Sequence, residues 1–146
     1  MKRDPALASL SRDHHHALFV AQNLRHADTH TAPQAAAALR AYWDEHGRDH
    51  FRLEEELLLP AYAGFGDPYH PLVARALCDH IAIRRRVDDL QEESGASPAA
   101  LRELGGSLAE HVRLEERELF PLIERTLPAA KLAELAAALE RVHPPP

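Results

Sequence analysis

The sequence has too few cysteines to form an internal disulfide and no apolar run long enough to span a membrane. Its 146 residues include one cysteine, Cys78, and aromatic residues make up only 5% of the chain. A single cysteine excludes an internal disulfide and agrees with a reducing compartment. No apolar run approaches the roughly 20 residues that a membrane-spanning helix needs, and the N-terminal segment turns polar too early for a secretory signal. We therefore expect a soluble, cytoplasmic protein without a membrane partner.

A basic surface is also missing. The sequence has 17 lysines and arginines against 23 aspartates and glutamates, and its formal net charge is -6. Proteins that bind nucleic acids or anionic lipids rely on clustered lysine and arginine side chains, so we expect neither partner. Phosphate-binding loops, dinucleotide-binding fingerprints and serine or cysteine nucleophile motifs are absent as well. These absences exclude the commonest classes of nucleotide-dependent and hydrolytic enzymes.

Helix-forming residues dominate what is present. Alanine, leucine, glutamate and arginine favour helix, and apolar residues recur every three or four positions rather than every second one. The sequence therefore predicts an all-α fold of one domain over 1–146, with a C-terminal fifth helix over about 128–142. Because short connections make successive helices antiparallel neighbours, residues of about 5–126 are expected to form an up-down-up-down four-helix bundle.

Capping residues and helix breakers predict where the helices begin and end. Asp4-Pro5 and Ser97-Pro98 each combine a capping residue with a proline at the first helical position. Ser94-Gly95 predicts the end of the third helix. Pro60 and Pro121 are expected to end the second and fourth helices. Two adjacent glycines, Gly105-Gly106, predict a weak point inside the fourth helix.

One eleven-residue motif occurs twice. HFRLEEELLLP at 50–60 and HVRLEERELFP at 111–121 share the pattern His-x-x-x-Glu-Glu-x-x-Leu-x-Pro. Residues four positions apart lie on one helix face, so each histidine points the same way as the first glutamate of its motif. A carboxylate on an apolar face is rarely buried unless it is paired or bound to a metal. The arginine two positions after each histidine points away and cannot supply that pairing.

Histidines form a second pattern, because each of the four long helices has one on its apolar face. Counted from the expected helix ends at ~1.5 Å per residue, these four histidines lie at about one level of the bundle. Together with the two glutamates they form a six-residue cluster: His14, His50, Glu54, His80, His111 and Glu115. A metal-free bundle would bury these carboxylates without cationic partners, at a cost of several kcal/mol.

The chemistry of this donor set favours two metal ions bridged by two carboxylates. Six nitrogen and oxygen donors are more than a tetrahedral structural zinc site uses. Imidazole and carboxylate donors without thiolate suit iron or manganese. Helix bundles build such sites from inward-facing side chains.

Some residues next to the six-residue cluster have two possible roles. His14 is favoured over His15 because His14 is flanked by Leu10, Leu18 and Ala21 on the apolar face, but His15 stays a possible ligand. Glu55 and Glu116 follow the glutamates of the two motifs. We interpret them as solvated residues, with orientation of a ligand histidine as the alternative.

With these motifs the sequence resembles the hemerythrin-like family, also called the HHE cation-binding domain. The resemblance rests on LSRDHHHAL around His14, LCDHIAI around His80 and the two repeated motifs, and it covers about 5–125. It implies a four-helix bundle around a non-haem di-iron centre. We therefore expect two iron ions bridged by carboxylates, with manganese or zinc as possible substitutes. It also implies that dioxygen, peroxide or nitric oxide is bound or reduced at an open coordination position.

One position departs from the oxygen-carrying members of the family. Those proteins have a second histidine one turn before the third-helix ligand, and this sequence has Ala76 there. His46, Glu118 or a water are the candidates for the missing ligand, since His46 is expected on the face of His50. The departure favours a more open, reactive or sensory site over reversible oxygen carriage. The alternative function is an iron sensor or storage module that acts through an unknown protein partner without turnover.

Overall fold

The computed structural model describes residues 2–92 and 97–143, and this part of the chain contains helices and no β-strand. Its five long helices are α1 (Ala8–Arg25), α2 (32–63), α3 (Pro71–Glu92), α4 (98–126) and α5 (Ala129–Val142). Helix α1 packs against α2 and α4, and α3 packs against α4 and α2. This arrangement confirms the predicted all-α bundle with a fifth helix. None of the helices described here combines the length and apolarity that crossing a bilayer requires.

Helices α2 and α4 are not regular α-helices along their whole length. In α2, π-helical turns at Trp43–Gly47 and Glu54–Leu58 separate three α-helical segments. In α4, one π turn at Glu115–Leu119 separates two such segments. Single π turns inside α-helices are uncommon and are frequent at functional sites. Two of these three turns begin at the glutamates of the repeated motif.

The expectation that Pro60 and Pro121 end their helices is wrong. Helix α2 continues to Ala63 and α4 to Thr126. A proline inside an α-helix lacks an N–H group and crowds the carbonyl one turn earlier. Here each proline lies two positions after a π turn, whose wider backbone path accommodates the ring. In that turn the N–H of the residue before the proline bonds five residues back, to the carbonyl of the motif glutamate.

The inward faces of α2 and α3 differ from the predicted ones at two positions. His46 is 43% exposed, because the π turn at Trp43–Gly47 contains an extra residue and places Gly47 inside instead. In α3, the apolar spacing from Val73 through His80 predicts that Leu77 points inward, but Leu77 is 37% exposed and Ala76 is buried instead. The buried face of α3 is therefore shifted by one residue at this turn.

Both predicted capping residues are confirmed. Asp4 accepts a hydrogen bond from the Ala6 amide and opens a 3₁₀ turn that leads into α1. Ser97 accepts one from the Ala100 amide at the start of α4. Ser94-Gly95, the predicted end of the third helix, lies outside the described residues.

Gly105 is a close-packing position rather than a weak point. A Cβ atom on this residue would lie 2.7 Å from the carbonyl oxygen of Ala21 and 2.8 Å from the Cβ of Leu24. Glycine therefore lets α4 approach α1 more closely than any other residue would. Its neighbour Gly106 faces open space.

The hydrophobic core consists of two clusters with a polar layer between them. One cluster, which includes Leu24, Leu39 and Val87, fills the end of the bundle near the α1–α2 connection. The other, which includes Leu10, Leu58 and Phe120, fills the opposite end and also receives α5. The only buried polar side chains among the described residues occupy the level between the two clusters: His14, His50, Glu54, His80, His111 and Glu115.

Candidate metal centre

All four bundle helices contribute to the polar layer. Each of its six residues is at most 3% exposed. The six residues form two groups of four that share Glu54 and Glu115, and in each group the potential ligand atoms lie within 4.8 Å of one another. We call the pair His14 and His50 half-site A, and the pair His80 and His111 half-site B. The structure thus brings together the six residues that the sequence grouped.

The inner nitrogen of every histidine faces the shared glutamates. In half-site A, His14 Nε2 lies 2.9 Å from Glu115 Oε1, and His50 Nε2 lies 3.2 Å from Glu54 Oε2. In half-site B, His80 Nε2 lies 3.0 Å from Glu54 Oε1, and His111 Nε2 lies 3.3 Å from Glu115 Oε2. The two Nε2 atoms within each half-site are 3.1 Å apart. Each glutamate therefore contacts histidines of both half-sites.

Glu54 is the residue that most clearly requires a cation. Both of its carboxylate oxygens are buried, and neither accepts a hydrogen bond from the described residues. A buried carboxylate without hydrogen bonds or a charged partner costs several kcal/mol. With four imidazole nitrogens and a second carboxylate around it, the layer has the donor set of a metal site, and a bound cation would neutralise the two glutamates.

The outer nitrogen of every histidine faces another carboxylate. His50 Nδ1 lies 3.0 Å from Asp13, and His111 Nδ1 lies 3.1 Å from Asp79. The other two contacts are 2.6 Å for His80 Nδ1 to Glu55 and 3.4 Å for His14 Nδ1 to Glu116. An Nδ1–H group that donates to a carboxylate leaves the Nε2 lone pair directed inward, which is the tautomer that binds a metal.

The interpretation of Glu55 and Glu116 as solvated residues is therefore wrong. Both side chains are between one quarter and one third exposed, and both turn back toward a histidine of the layer. The sequence reasoning also missed Asp13 and Asp79. The signal was present, because an Asp-His pair occurs in α1 and again in α3.

Aromatic and arginine side chains complete each half-site in the same way. The Phe51 ring stacks on His80 with centroids 3.8 Å apart, and Arg84 lies over Phe51 and donates to Glu55 at 2.8 and 3.2 Å. In the other half-site, Phe120 stacks on His14 at 5.2 Å. Arg3 lies over Phe120, and its guanidinium is 3.6 Å from Glu116. These rings shield one face of the His80 imidazole and one face of the His14 imidazole from water.

The three additional candidates lie outside the layer. His15 and Glu118 are exposed on α1 and α4, and His46 is exposed on α2. None of the three belongs to either group of potential ligands among the described residues. Ala76 is fully buried in the apolar cluster that borders the layer. The buried side chain one turn before His80 is therefore an apolar methyl group.

The buried glutamates control the protonation of the histidines. Burial disfavours the charged imidazole, but the neighbouring carboxylates of Glu115 and Glu54 outweigh this and raise the pKa of His80 to about 9. For His111, the negative charge of Glu115 outweighs burial and raises the pKa to about 10. Burial would raise the pKa of Glu115, but the charge of His111 and hydrogen bonds to three histidines hold it well below its usual range. Protons thus compete with metal ions for these nitrogens.

Comparison with known proteins agrees with this geometry. Residues 6–123 match the family described as the hemerythrin HHE cation binding domain. The match includes all six residues of the polar layer and ends before α5. No curated protein and no solved structure matches the chain. Because the match spans most of the sequence, the chain belongs to the hemerythrin HHE cation-binding domain family.

Proposed function

We propose that this protein binds two iron ions in the polar layer and binds or reduces a small oxidant there, such as dioxygen, peroxide or nitric oxide. The observation that carries the proposal is the buried carboxylate of Glu54, whose two oxygens face histidines of both half-sites without accepting a hydrogen bond. Non-haem iron supplies one-electron redox chemistry and coordination positions for small ligands.

The division of the donors supports two ions rather than one. Each group contains two histidines and the same two glutamates, so each ion would have imidazole ligands of its own and share both carboxylates. The absence of thiolate from both groups favours iron or manganese over structural zinc. Two histidines and carboxylate oxygens leave coordination positions open, as in other reactive non-haem iron sites.

The surrounding residues support chemistry with a small ligand. Asp13, Asp79 and Glu55 hold the Nδ1 sides of their histidines, which keeps the Nε2 atoms directed inward. Phe51 and Phe120 exclude water from the faces of two imidazoles. The methyl group of Ala76, in place of a further ligand, favours a reactive site over a reversible carrier.

Metal content and turnover test this proposal together. After anaerobic reconstitution with ferrous iron, we expect about two irons per chain and, after exposure to oxygen, an absorption band of a ferric pair. Glu54→Ala removes a carboxylate shared by both half-sites, so iron content and peroxide decay should fall to background. Glu56→Ala is the matched control, because Glu56 lies two positions further along α2 and is exposed.

Two results would contradict different parts of the proposal. Wild-type protein that stays iron-free would exclude an iron centre. Oxidant reduction would be excluded if the wild-type protein bound two irons but consumed peroxide and nitric oxide no faster than the Glu54→Ala variant does. That second result would favour an iron sensor or storage module.

A further inference from the structure

Helix α5 lies outside the residues that match the family, yet it packs against a segment that contributes to the polar layer. Its buried face contains Leu132, Leu135 and Leu139, which join the apolar cluster at that end of the bundle. Its main contacts are to the 3₁₀ turn Pro5–Leu7 before α1 and to the π turn Glu54–Leu58. The second of these turns begins at a shared glutamate of the layer.

The residue after α5 contacts the outer side of half-site A. His143 Nε2 lies 2.9 Å from Asp13 Oδ1, while the other oxygen of the same carboxylate lies 3.0 Å from His50 Nδ1. Burial alone would raise the pKa of Asp13, but the hydrogen bonds and charges of His50 and His143 lower it. One carboxylate therefore connects the end of α5 to a histidine of the layer.

The corresponding aspartate of half-site B is held differently. Asp79 Oδ2 faces His111 Nδ1 at 3.1 Å, and Asp79 Oδ1 accepts a hydrogen bond from Arg75 Nε at 3.1 Å. Arg75 lies on the same helix as Asp79, one turn earlier. Asp79 of half-site B is thus held from within its own helix α3, whereas Asp13 of half-site A is held by a residue that follows a separate helix, α5.

The end of α5 also forms a wall beside half-site A. A surface groove of about 470 Å³ is lined by residues of α2 and by the end of α5, including His46, His50, Val142 and His143. His50 is the only residue of the polar layer that lines this groove. The position of α5 therefore determines how His50 is covered on its outer side.

We propose that α5 is a latch on half-site A, with His143 as a positioning residue that holds Asp13 and, through it, His50. The contact of His143 with Asp13 raises the affinity of the ion in half-site A and leaves the ion in half-site B unaffected. The statement about ions rests on the proposed function. The statement about the positioning of His50 holds for the metal-free chain as well.

The first experiment measures the release of ferrous iron to a chelator under anaerobic conditions. In His143→Ala, we expect one of the two ions to leave about tenfold faster than in the wild type, the lower end of the effect of removing an outer-shell partner. His143→Gln keeps an N–H donor at a similar reach and should restore most of the wild-type rate. Arg141→Ala is the matched control, since Arg141 is exposed near the same end of α5.

Two further variants, each of which keeps only one half-site, show which ion is affected. His143→Ala should accelerate release in a His80→Ala protein, which keeps half-site A, and should have no effect in a His14→Ala protein, which keeps half-site B. Circular dichroism of every variant checks that the bundle is folded. Equal acceleration of both ions, or acceleration confined to the His14→Ala background, would overturn the proposal.

A second measurement does not depend on iron. In the metal-free protein, the Nδ1 proton of His50 should exchange with water faster in His143→Ala than in the wild type, while that of His111 stays unchanged in nuclear magnetic resonance spectra. Unchanged exchange at His50 would overturn the latch. If the wild type bound no iron but the exchange difference appeared, the proposed function would fail and the positioning role of His143 would stand.

Discussion

Half-sites A and B each contain two histidines and share the same two glutamates, but different residues contact the outer nitrogens of those histidines. In half-site B, Glu55 lies 2.6 Å from His80, and Arg84 of the same helix α3 binds that glutamate through two nitrogens. In half-site A, Glu116 lies 3.4 Å from His14, and Arg3 reaches it from the segment before α1. The repeated motif thus produces matching inner shells, while the outer shell of half-site A depends on segments at both ends of the described chain.

This difference teaches that sequence duplication does not make two sites equivalent. The bundle helices alone provide the support of half-site B. Half-site A requires Arg3, which also pairs with Glu124, and His143, which follows α5. We expect half-site B to bind its ion more tightly and half-site A to exchange its ion more readily, because an outer shell fixed by local contacts is better organised.

The largest expected effect is the loss of one ion when a histidine of either half-site is removed. His80→Ala and His14→Ala should each reduce the iron content from about two ions per chain to about one. The remaining ion should be released more slowly from His14→Ala, which keeps half-site B. Elemental analysis and release kinetics measure both quantities. Equal release rates from the two variants would show that the half-sites are equivalent.

Removal of the outer glutamates should have a smaller and unequal effect. Glu55→Gln takes away a carboxylate that lies 2.6 Å from a ligand histidine, so we expect a loss of about 10–100-fold in the affinity of one ion. Glu116→Gln should weaken binding by only a few-fold, because its contact with His14 Nδ1 is longer. Competition titrations with a calibrated chelator measure the affinities. A larger effect of Glu116→Gln would reverse the assignment of the better organised half-site.

The smallest expected effect is the pH dependence of the stability of the metal-free protein. The pKa values of His80 and His111 are about 9 and about 10 in the folded chain, above the ordinary value of 6.5. A raised pKa stabilises the fold fully below pH 6.5, and the stabilisation is lost as the pH rises through 9 and 10. The melting temperature in chelator should therefore fall over this range.

The His80→Ala variant measures how much His80 contributes to this dependence of the melting temperature on pH. His80→Ala removes one of the two groups, so the fall in melting temperature between pH 7 and pH 10 should be smaller than in the wild type. Subtracting the two calorimetric curves cancels the titration of other groups. Curves that stay parallel over the whole range would contradict the role of His80.

Much of the inner layer could be predicted because helix geometry is regular. The i and i+4 spacing within each motif places His50 with Glu54, and counting residues from the expected helix ends places the histidines at one level. The π turns could not be predicted from the same pattern. Each adds a residue to a turn, so the inward positions after it shift, and His46 rotates to the surface.

The outer layer depends on contacts between helices, which spacing along one helix does not determine. Asp13 is adjacent to His14 in sequence but contacts His50 on α2, and Asp79 is adjacent to His80 but contacts His111 on α4. The contact of His143 with Asp13 further requires the packing direction of α5. The only sequence pattern that indicated a role for Asp13 and Asp79 is the repeated Asp-His pair.

The division of the core into two apolar clusters has a consequence for cooperativity. The clusters at the two ends of the bundle are joined through six buried polar side chains rather than through continuous hydrophobic packing. Ions in this layer would bind groups from all four helices at once, so metal binding would couple the unfolding of the two ends. We expect the unfolding transition to be sharper with metal than without it.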